Sequence, residues 1–204
     1  MQTMTTKATK AGAWALSALT VAAGGDTMAW KVDAPHTAVT FDVKHFFTPV
    51  KGQFNDFDIE LTYDPEMPEN STVRVRIPVA SIDTGNERRD SHLRSGDFFE
   101  AERFPDITFH SESVTRVSDT ELLVRGPLSI KGETRTIDLP VSILGIVDVP
   151  EEMQAMLGGV KHVASFRAGL TLDRRDFGVG VGNWAATAVV GKDVNIDIAV
   201  EANR

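Results

Sequence analysis

The sequence predicts an all-β fold of about eight antiparallel strands, either closed into a barrel or packed as a sandwich. From Trp30 onward, apolar and polar residues alternate with period two, which is typical of strands that bury one face. Turn-forming residues such as Asp64-Pro65 and Lys131-Gly132 separate the alternating segments. A single domain of sequential antiparallel strands follows from this pattern.

Eight segments carry the alternation, and each is predicted to form one strand. In the first, for example, Val39, Phe41 and Val43 are apolar while Thr40 and Asp42 are polar. In chain order the segments are Val39–Val43, Phe57–Tyr63, Val73–Val79, Ile107–Phe109, Leu122–Ile130, Ile137–Ile143, Ala164–Leu172 and Val194–Val200.

Two places interrupt the β pattern and predict short helices between strands. Residues 86–103 lack alternation, and Asn86 and Asp97 are both suited to cap a helix N-terminus. The segment Pro150–Leu157 begins with proline, carries two early glutamates and ends at Gly158-Gly159, which are helix start and stop signals.

The N-terminal segment, residues 1–27, differs from the rest of the chain. Lys7 and Lys10 precede the apolar run Ala11–Ala23, which has the length of a signal-peptide core, and Val21-Ala22-Ala23 offers a cleavage site. The run is shorter than the roughly 20 residues of a transmembrane helix. We favour a signal peptide and a periplasmic or secreted protein. The alternative is a mis-assigned extension, with Met28 as the true start of a cytoplasmic protein. Residues 28–204 form the predicted barrel domain in either case.

Composition excludes several classes of function. The 204-residue chain contains no cysteine, which rules out disulfides, thiolate metal sites and cysteine nucleophiles. Its 29 acidic and 21 basic residues give a net charge of −8, which argues against a nucleic-acid partner because such binding depends on neutralising phosphates.

No motif for catalysis, metal binding or cofactor binding appears. The five histidines lack metal-ligand spacing, and the glycines of residues 178–182 are interpreted as a loop or bulge because no helix follows them. The charged residues 173–176 are interpreted as a solvated turn. We therefore predict no catalytic residue, no metal ligand and no cofactor. The histidines are His36, His45, His92, His110 and His162.

The densest polar cluster, residues 88–94, has two interpretations. Helical spacing pairs Arg88 with His92 and Asp90 with Arg94. In the first interpretation, which we favour, the Asp90–Arg94 pair and the Asp97 cap hold a loop. In the second, an arginine and histidine cluster at a barrel rim contacts a polar or anionic head group. The head-group candidates are Arg88, Arg89, His92 and Arg94.

The inward positions of the strands define the predicted interior. An eight-stranded barrel is wide enough either to be filled by side chains or to hold one small ligand. Periodicity does not distinguish these two cases. The candidate interior and lipid-binding residues are Phe41, Val43, Phe57, Ile59, Leu61, Val75, Ile77, Phe109, Leu128, Ile137, Leu139, Phe166, Leu170 and Ile196.

The order of motifs from residue 30 to residue 202 resembles the YceI-like family of bacterial lipid-binding proteins. The stretch from Asp83 to Phe99 is the most specific part of the resemblance. The matching positions include His36-Thr37, Val43-Lys44-His45, Ser81-Ile82-Asp83-Thr84-Gly85-Asn86, Arg89-Asp90, His92-Leu93-Arg94-Ser95, Asp97-Phe98-Phe99, Phe104-Pro105, Ile130-Lys131-Gly132, Thr134-Arg135 and Arg175-Asp176-Phe177-Gly178.

The resemblance implies a lipocalin-like antiparallel β-barrel that holds a long-chain amphiphile, typically a polyisoprenoid, without enzymatic activity. We therefore predict binding, transport or sequestration of a polyisoprenoid, an isoprenoid quinone or a fatty-acid derivative, with at most transient membrane association. Exposed sheet edges would also allow a homodimer. Residues 161–166, which follow Gly158-Gly159, depart from the family pattern, and the preceding Asp148–Leu157 helix looks like a local addition. Two alternatives stay open, namely an enzyme using His36, His45 or His92 as acid or base and a solidly packed interaction barrel.

Overall fold

A computed structural model describes residues 29–186 and 188–204. The predicted signal peptide or extension, residues 1–27, lies outside the described residues. Among those described, no helix is long and apolar enough to cross a membrane.

The described chain folds into one antiparallel sheet that closes on itself. A ring of eight strands runs in the order β1-β4-β5-β7-β9-β10-β11-β12, and β12 pairs with β1 to complete it. The remaining strands extend this wall, because β2 pairs with β12, β3 with β2, β6 with β3, and β8 with β9. The strands are β1 (Ala29–Val32), β2 (Ala38–His45), β3 (Thr48–Phe54), β4 (Asp58–Thr62), β5 (Thr72–Pro78), β6 (Ile82–Asp83), β7 (Asp106–His110), β8 (Ser113–Arg116), β9 (Glu121–Ile130), β10 (Glu133–Asp148), β11 (His162–Asp173) and β12 (Val190–Asn203).

The predicted all-β antiparallel barrel is confirmed, and each of the eight predicted segments overlaps one strand. Four strands were missed. Pro49 and Gly52 interrupt the alternation of β3, whereas β1, β6 and β8 have only four, two and four residues, too few to show a period. Short breaks divide what would otherwise be continuous strands, such as the 3-10 turn Ala34–His36 between β1 and β2.

The helices are fewer and shorter than predicted. Helix α1 (Glu87–Arg94) begins as expected, with the Asn86 side chain accepting a hydrogen bond from the Arg89 amide. The second cap prediction was wrong: residues 96–103 form turns, and the Asp97 carboxylate binds His92 and Trp184 instead. Helix α2 (Glu151–Gln154) begins after Pro150 but spans only four residues.

The two ends of the barrel differ in what covers them. The end called here the α1 end carries α1 with the turns that follow it, the β2–β3 turn, and the described residues of the loop 174–189. That loop is joined to the turns after α1 by the Asp97–Trp184 hydrogen bond and to the β2–β3 turn by the Phe46–Val189 hydrogen bond. The opposite end, the α2 end, carries α2 and both termini of the described barrel. There the Lys161 amide donates to the Arg204 carbonyl.

Candidate ligand cavity

The barrel interior contains two apolar cavities placed end to end. The cavity toward the α1 end, the outer cavity, has a volume of about 200 Å³, and the inner cavity toward the α2 end has about 120 Å³. Because six residues line both, the cavities meet at the middle of the barrel. The shared residues are Val39, Val75, Ile77, Phe109, Leu139 and Ile198.

Strand β11 shows how period-two alternation builds this interior. Leu172 and Leu170 line the outer cavity, and Ala168 and Phe166 line the inner one. The six residue steps from Phe166 to Leu172 span about 20 Å along the strand. The wall is therefore long, narrow and apolar along its length.

Most of the predicted interior residues lie on these cavity walls. Ten of the fourteen line the outer cavity, and four of those ten also line the inner cavity. Ile59, Leu61 and Phe166 line the inner cavity alone. Phe57 is the exception. It is half-buried and lies in a separate surface groove beside Trp30 and Leu61. Those on a cavity wall are Phe41, Val43, Ile59, Leu61, Val75, Ile77, Phe109, Leu128, Ile137, Leu139, Phe166, Leu170 and Ile196.

Several residues that close the α1 end could not be identified from alternation. Leu93 on α1, and Phe98 and Phe99 in the turns after it, line the outer cavity, as do Phe177 and Val179 of the loop 174–189. They lie in irregular segments, where side-chain direction does not follow a period of two. Tertiary contacts, rather than a local sequence pattern, determine that Leu93, Phe98 and Phe99 face the cavity.

Among the described residues, Arg174 is the one charged side chain on either cavity wall. It is only 6% exposed and donates to five backbone carbonyls, three in the following loop and two at the start of β12. Burial lowers the pKa of its guanidinium, and the nearby Asp173 carboxylate opposes that shift. An arginine nevertheless keeps its charge in proteins. The accepting carbonyls belong to Val179, Gly180, Trp184, Val190 and Gly191.

The interpretation of residues 173–176 as a solvated turn was therefore wrong for Arg174. The inward series of β11 runs through even-numbered positions to Leu172, and Arg174 continues it. The register could have revealed its burial. Arg175 does occupy the exposed turn, where its side-chain hydrogen bonds to Asp173, the shortest at 2.6 Å, and then its charge lower the pKa of that carboxyl to about 2.

The predicted head-group residues lie on α1, beside the outer cavity but not on its wall. Arg89 donates to the Thr84 hydroxyl and carbonyl at 2.6 and 2.7 Å, which anchors the helix start. Arg88 is exposed and forms no ion pair with a described residue. The helix therefore presents arginines at the barrel rim, and one of them, Arg88, has no ion-pair partner among the described residues.

The predicted Asp90–Arg94 pair does not form. Asp90 is 4% exposed and accepts hydrogen bonds from the Thr84 amide and hydroxyl, so it holds the chain entering α1. Arg94 instead pairs with Glu87 at 2.8 Å and reaches the Ala80 carbonyl. Helical spacing favoured Asp90, four residues before Arg94, but burial of Asp90 against Thr84 leaves Arg94 to pair with Glu87, two turns earlier.

His92 joins α1 to the loop 174–189. Its imidazole lies 2.9 Å from the Asp97 carboxylate, which also accepts a hydrogen bond from the Trp184 indole at 3.2 Å. The hydrogen bond from His92 is the largest cause of a lowered pKa of the Asp97 carboxyl, and the hydrogen bond from Trp184 is the next. The His92 ring also packs edge-on against Phe98 and Trp184. This cluster covers the α1 end of the outer cavity.

A second histidine cluster lies at the surface, away from both cavities. His36 is 3.1 Å from Asp33 and 3.6 Å from Glu201, and these interactions raise the pKa of His36. Within the described part of the chain, it is the one group of three side chains whose ligand atoms approach closely enough to share a metal ion. The ion pairs account for the arrangement.

This geometry defines a closed antiparallel barrel with an apolar, ligand-sized interior. The YceI-like domain matches residues 30–202, and the chain belongs to the YceI-like family. A UPF0312 protein of Shewanella sp. (strain ANA-3) is 30% identical over 173 residues, covering 84% of each chain.

Solved structures share the fold. BcnA of Burkholderia cenocepacia superimposes with a TM-score of 0.74 at 26% identity, covering 84% of this chain and 99% of that one. A polyisoprenoid binding domain from Saccharophagus degradans superimposes with a TM-score of 0.65 at 13% identity, covering 85% and 97%. At that identity the second likeness is one of fold alone.

Proposed function

We propose that the chain is a binding protein that encloses one long-chain amphiphile in its barrel and carries or sequesters it without chemical change. The observation that supports this best is the pair of apolar cavities that meet end to end, because a long apolar tail needs a long apolar slot. The ligand class is a polyisoprenoid, an isoprenoid quinone or a fatty-acid derivative. The polyisoprenoid binding domain of the same fold supports the first of these.

The energetics of such a site favour tight binding. Transfer of apolar surface from water gains about 25 cal/mol per Å², so a tail that buries roughly 400 Å² gains on the order of 10 kcal/mol before ordering costs. No reacting group is needed for this affinity. Among the residues that line the two cavities there is no histidine, which favours binding over acid–base catalysis on an enclosed substrate.

We propose that the polar end of the ligand lies at the α1 end. Four basic side chains are grouped there on one short helix, and the positive charge of Arg174 is buried in the adjacent wall. All of the Arg174 donors bind backbone carbonyls, so its contribution is the field it creates rather than a direct hydrogen bond. Arg88→Ala should weaken a phosphorylated ligand and leave the corresponding alcohol unchanged. Equal loss for both would contradict this orientation.

The ligand itself is tested by extraction. The protein is purified without detergent, denatured in organic solvent, and the extract is identified by mass spectrometry. We expect about one long-chain amphiphile per chain, and saturable uptake of polyprenols, quinones or fatty amides by the emptied protein. An extract without such a molecule, together with no saturable uptake, would refute the proposal.

We further propose that residues 1–27 are a signal peptide and that the barrel acts outside the cytoplasm. Lys7, Lys10 and the apolar run Ala11–Ala23 support this. Mass measurement of the protein from separated cell fractions tests it. A cleaved chain in the periplasm or medium is expected, and a cytoplasmic chain that begins at Met28 would contradict it.

A further inference from the structure

The turn between β2 and β3 exposes two adjacent phenylalanines. Phe46 is 53% exposed and Phe47 is 94% exposed. The Phe46 backbone has a φ of 52°, an uncommon conformation for a side-chain-bearing residue, and its amide donates to the Val189 carbonyl at 2.9 Å. The turn is thus held against the loop 174–189 while Phe47 points into solvent. We call Phe46 and Phe47 the aromatic tip.

The aromatic tip lies beside the outer cavity. His45 is paired with Val190 and Val43 with Val194, and the three valines line that cavity. The same hairpin therefore supplies Val43 to the cavity wall and, three and four residues further on, the two exposed rings. Val181, in the loop 174–189, adds a further exposed apolar side chain at this end.

The charge around the tip is locally positive in an acidic chain. Residues 43–54 include Lys44, His45 and Lys51 and no carboxylate, although Asp42, the cross-strand partner of Lys51, lies just before them and the whole chain has a net charge of −8. Both lysines are exposed, and neither forms an ion pair with a described residue. Exposed aromatic rings flanked by lysines fit a surface that is apolar inside and anionic outside.

The other exposed apolar cluster has the opposite charge environment. It lies at the α2 end, where Asp148, Glu151 and Glu152 outnumber Lys161 and Arg204, and where Asp148 is paired with His162 at 2.7 Å. An anionic surface would be repelled there and attracted at the aromatic tip. This cluster consists of Leu144, Ile146, Val147, Met153, Met156 and Leu157.

We propose that the aromatic tip docks the barrel reversibly on an anionic lipid bilayer, with both phenylalanine rings inserted at the boundary between head groups and acyl chains. Two rings and two lysines give weak, reversible attachment. This docking would turn the α1 end of the outer cavity toward the membrane, where an amphiphile can be exchanged. The role in exchange rests on the proposed lipid-binding function, whereas the docking itself does not.

The test is co-sedimentation of the full chain with vesicles of phosphatidylcholine containing phosphatidylglycerol. Phe47→Ser should lower the vesicle partition coefficient at least about tenfold. Met156→Ser is the matched control, because Met156 is 75% exposed at the α2 end, and it should partition as the unchanged protein does. Replacing Lys44 with glutamine should weaken binding about fivefold on these vesicles and have little effect on pure phosphatidylcholine.

Three outcomes would overturn the proposal. They are no sedimentation of the unchanged chain, equal partition of Phe47→Ser and the unchanged chain, and a loss in Met156→Ser as large as that in Phe47→Ser. A tip that joins two copies of the chain also overturns it, and would appear as a dimer that Phe47→Ser converts to a monomer without any vesicle binding. Matching unfolding temperatures of the variants exclude misfolding.

Ligand uptake separates this proposal from the proposed function. Phe47→Ser should bind a solubilised polyprenyl phosphate as tightly as the unchanged chain does, while acquiring it from vesicles more slowly. A chain that takes up the ligand but never sediments with vesicles refutes docking alone. A chain that sediments but takes up no ligand refutes the binding function and leaves docking supported.

Discussion

Filling the inner cavity should limit the length of ligand that the barrel accepts. Ala168 lies on the inner cavity wall, is 8% exposed, and is paired with Val141 and Ile198 on the neighbouring strands. In Ala168→Phe, the added six-carbon ring occupies space that the far end of a long tail would use. The outer cavity, which Ala168 does not line, stays open.

The expected loss follows from the carbons displaced. Excluding about four to six tail carbons at about 0.8 kcal/mol each costs about 3–5 kcal/mol of binding free energy. This corresponds to at least about a hundredfold weaker binding. A short analogue that occupies only the outer cavity should lose almost nothing. Titration of the emptied protein with a long polyprenyl phosphate and with geranyl phosphate, followed by native mass spectrometry, measures both affinities.

The matched control is Thr171→Phe. Thr171 is on the same strand but exposed, with its hydroxyl 2.9 Å from the Asn195 side chain. It should bind both ligands as the unchanged protein does. Overpacking in Ala168→Phe costs about 1–3 kcal/mol of stability, so unfolding is measured in parallel. Equal losses for the long and short ligands, or unchanged binding of the long one, would refute the reasoning.

Further predictions concern the residues that hold the α1 end and the barrel surface. Arg174→Ala leaves five backbone carbonyls without their donor and should cost about 3–5 kcal/mol of unfolding free energy in urea; a cost below about 1 kcal/mol would mean that water replaces the guanidinium. Asp90→Ala should cost about 2 kcal/mol in the same assay by leaving the half-buried Thr84 amide and hydroxyl donors unpaired, whereas Asp90→Asn should recover part of the loss. The pKa of His36 is raised above 6.5 in the folded protein, so its ion pairs stabilise fully below about pH 6.5 and this stabilisation is lost as the pH rises through the folded pKa. His36→Gln should therefore lower the unfolding temperature at about pH 5.5 but not at about pH 8.5, and an equal effect at both would contradict the charge-based account.

The alternation predicted the β fold because each strand buries one face in the barrel interior and exposes the other to solvent. Leu170 and Ile196 could be placed in the interior from period two alone, and both line the outer cavity. The same rule fails for Phe57, which comes just before β4 begins at Asp58 and lies in a surface groove instead. A residue at a strand end is free to turn away from the sheet face that its position in the pattern predicts.

The cavity itself could not be predicted from the sequence. Whether inward side chains meet across the axis depends on barrel diameter and on which small residues face each other, such as Ala168 on β11. The covering of the α1 end could not be predicted from the sequence either. It depends on hydrogen bonds from His92 and Trp184 to Asp97, and Trp184 is 87 residues from Asp97 along the chain. Contacts of that range leave no local periodic signal.

The most direct test of the central claim is the crystal structure of the protein grown with a bound long-chain polyprenol. We predict one continuous tube of electron density that runs from the outer cavity beside Leu172, past Val75 and Phe109, into the inner cavity beside Phe166. A tail that lies on the outside of the barrel, or side chains that close the passage between the two cavities, would contradict the account.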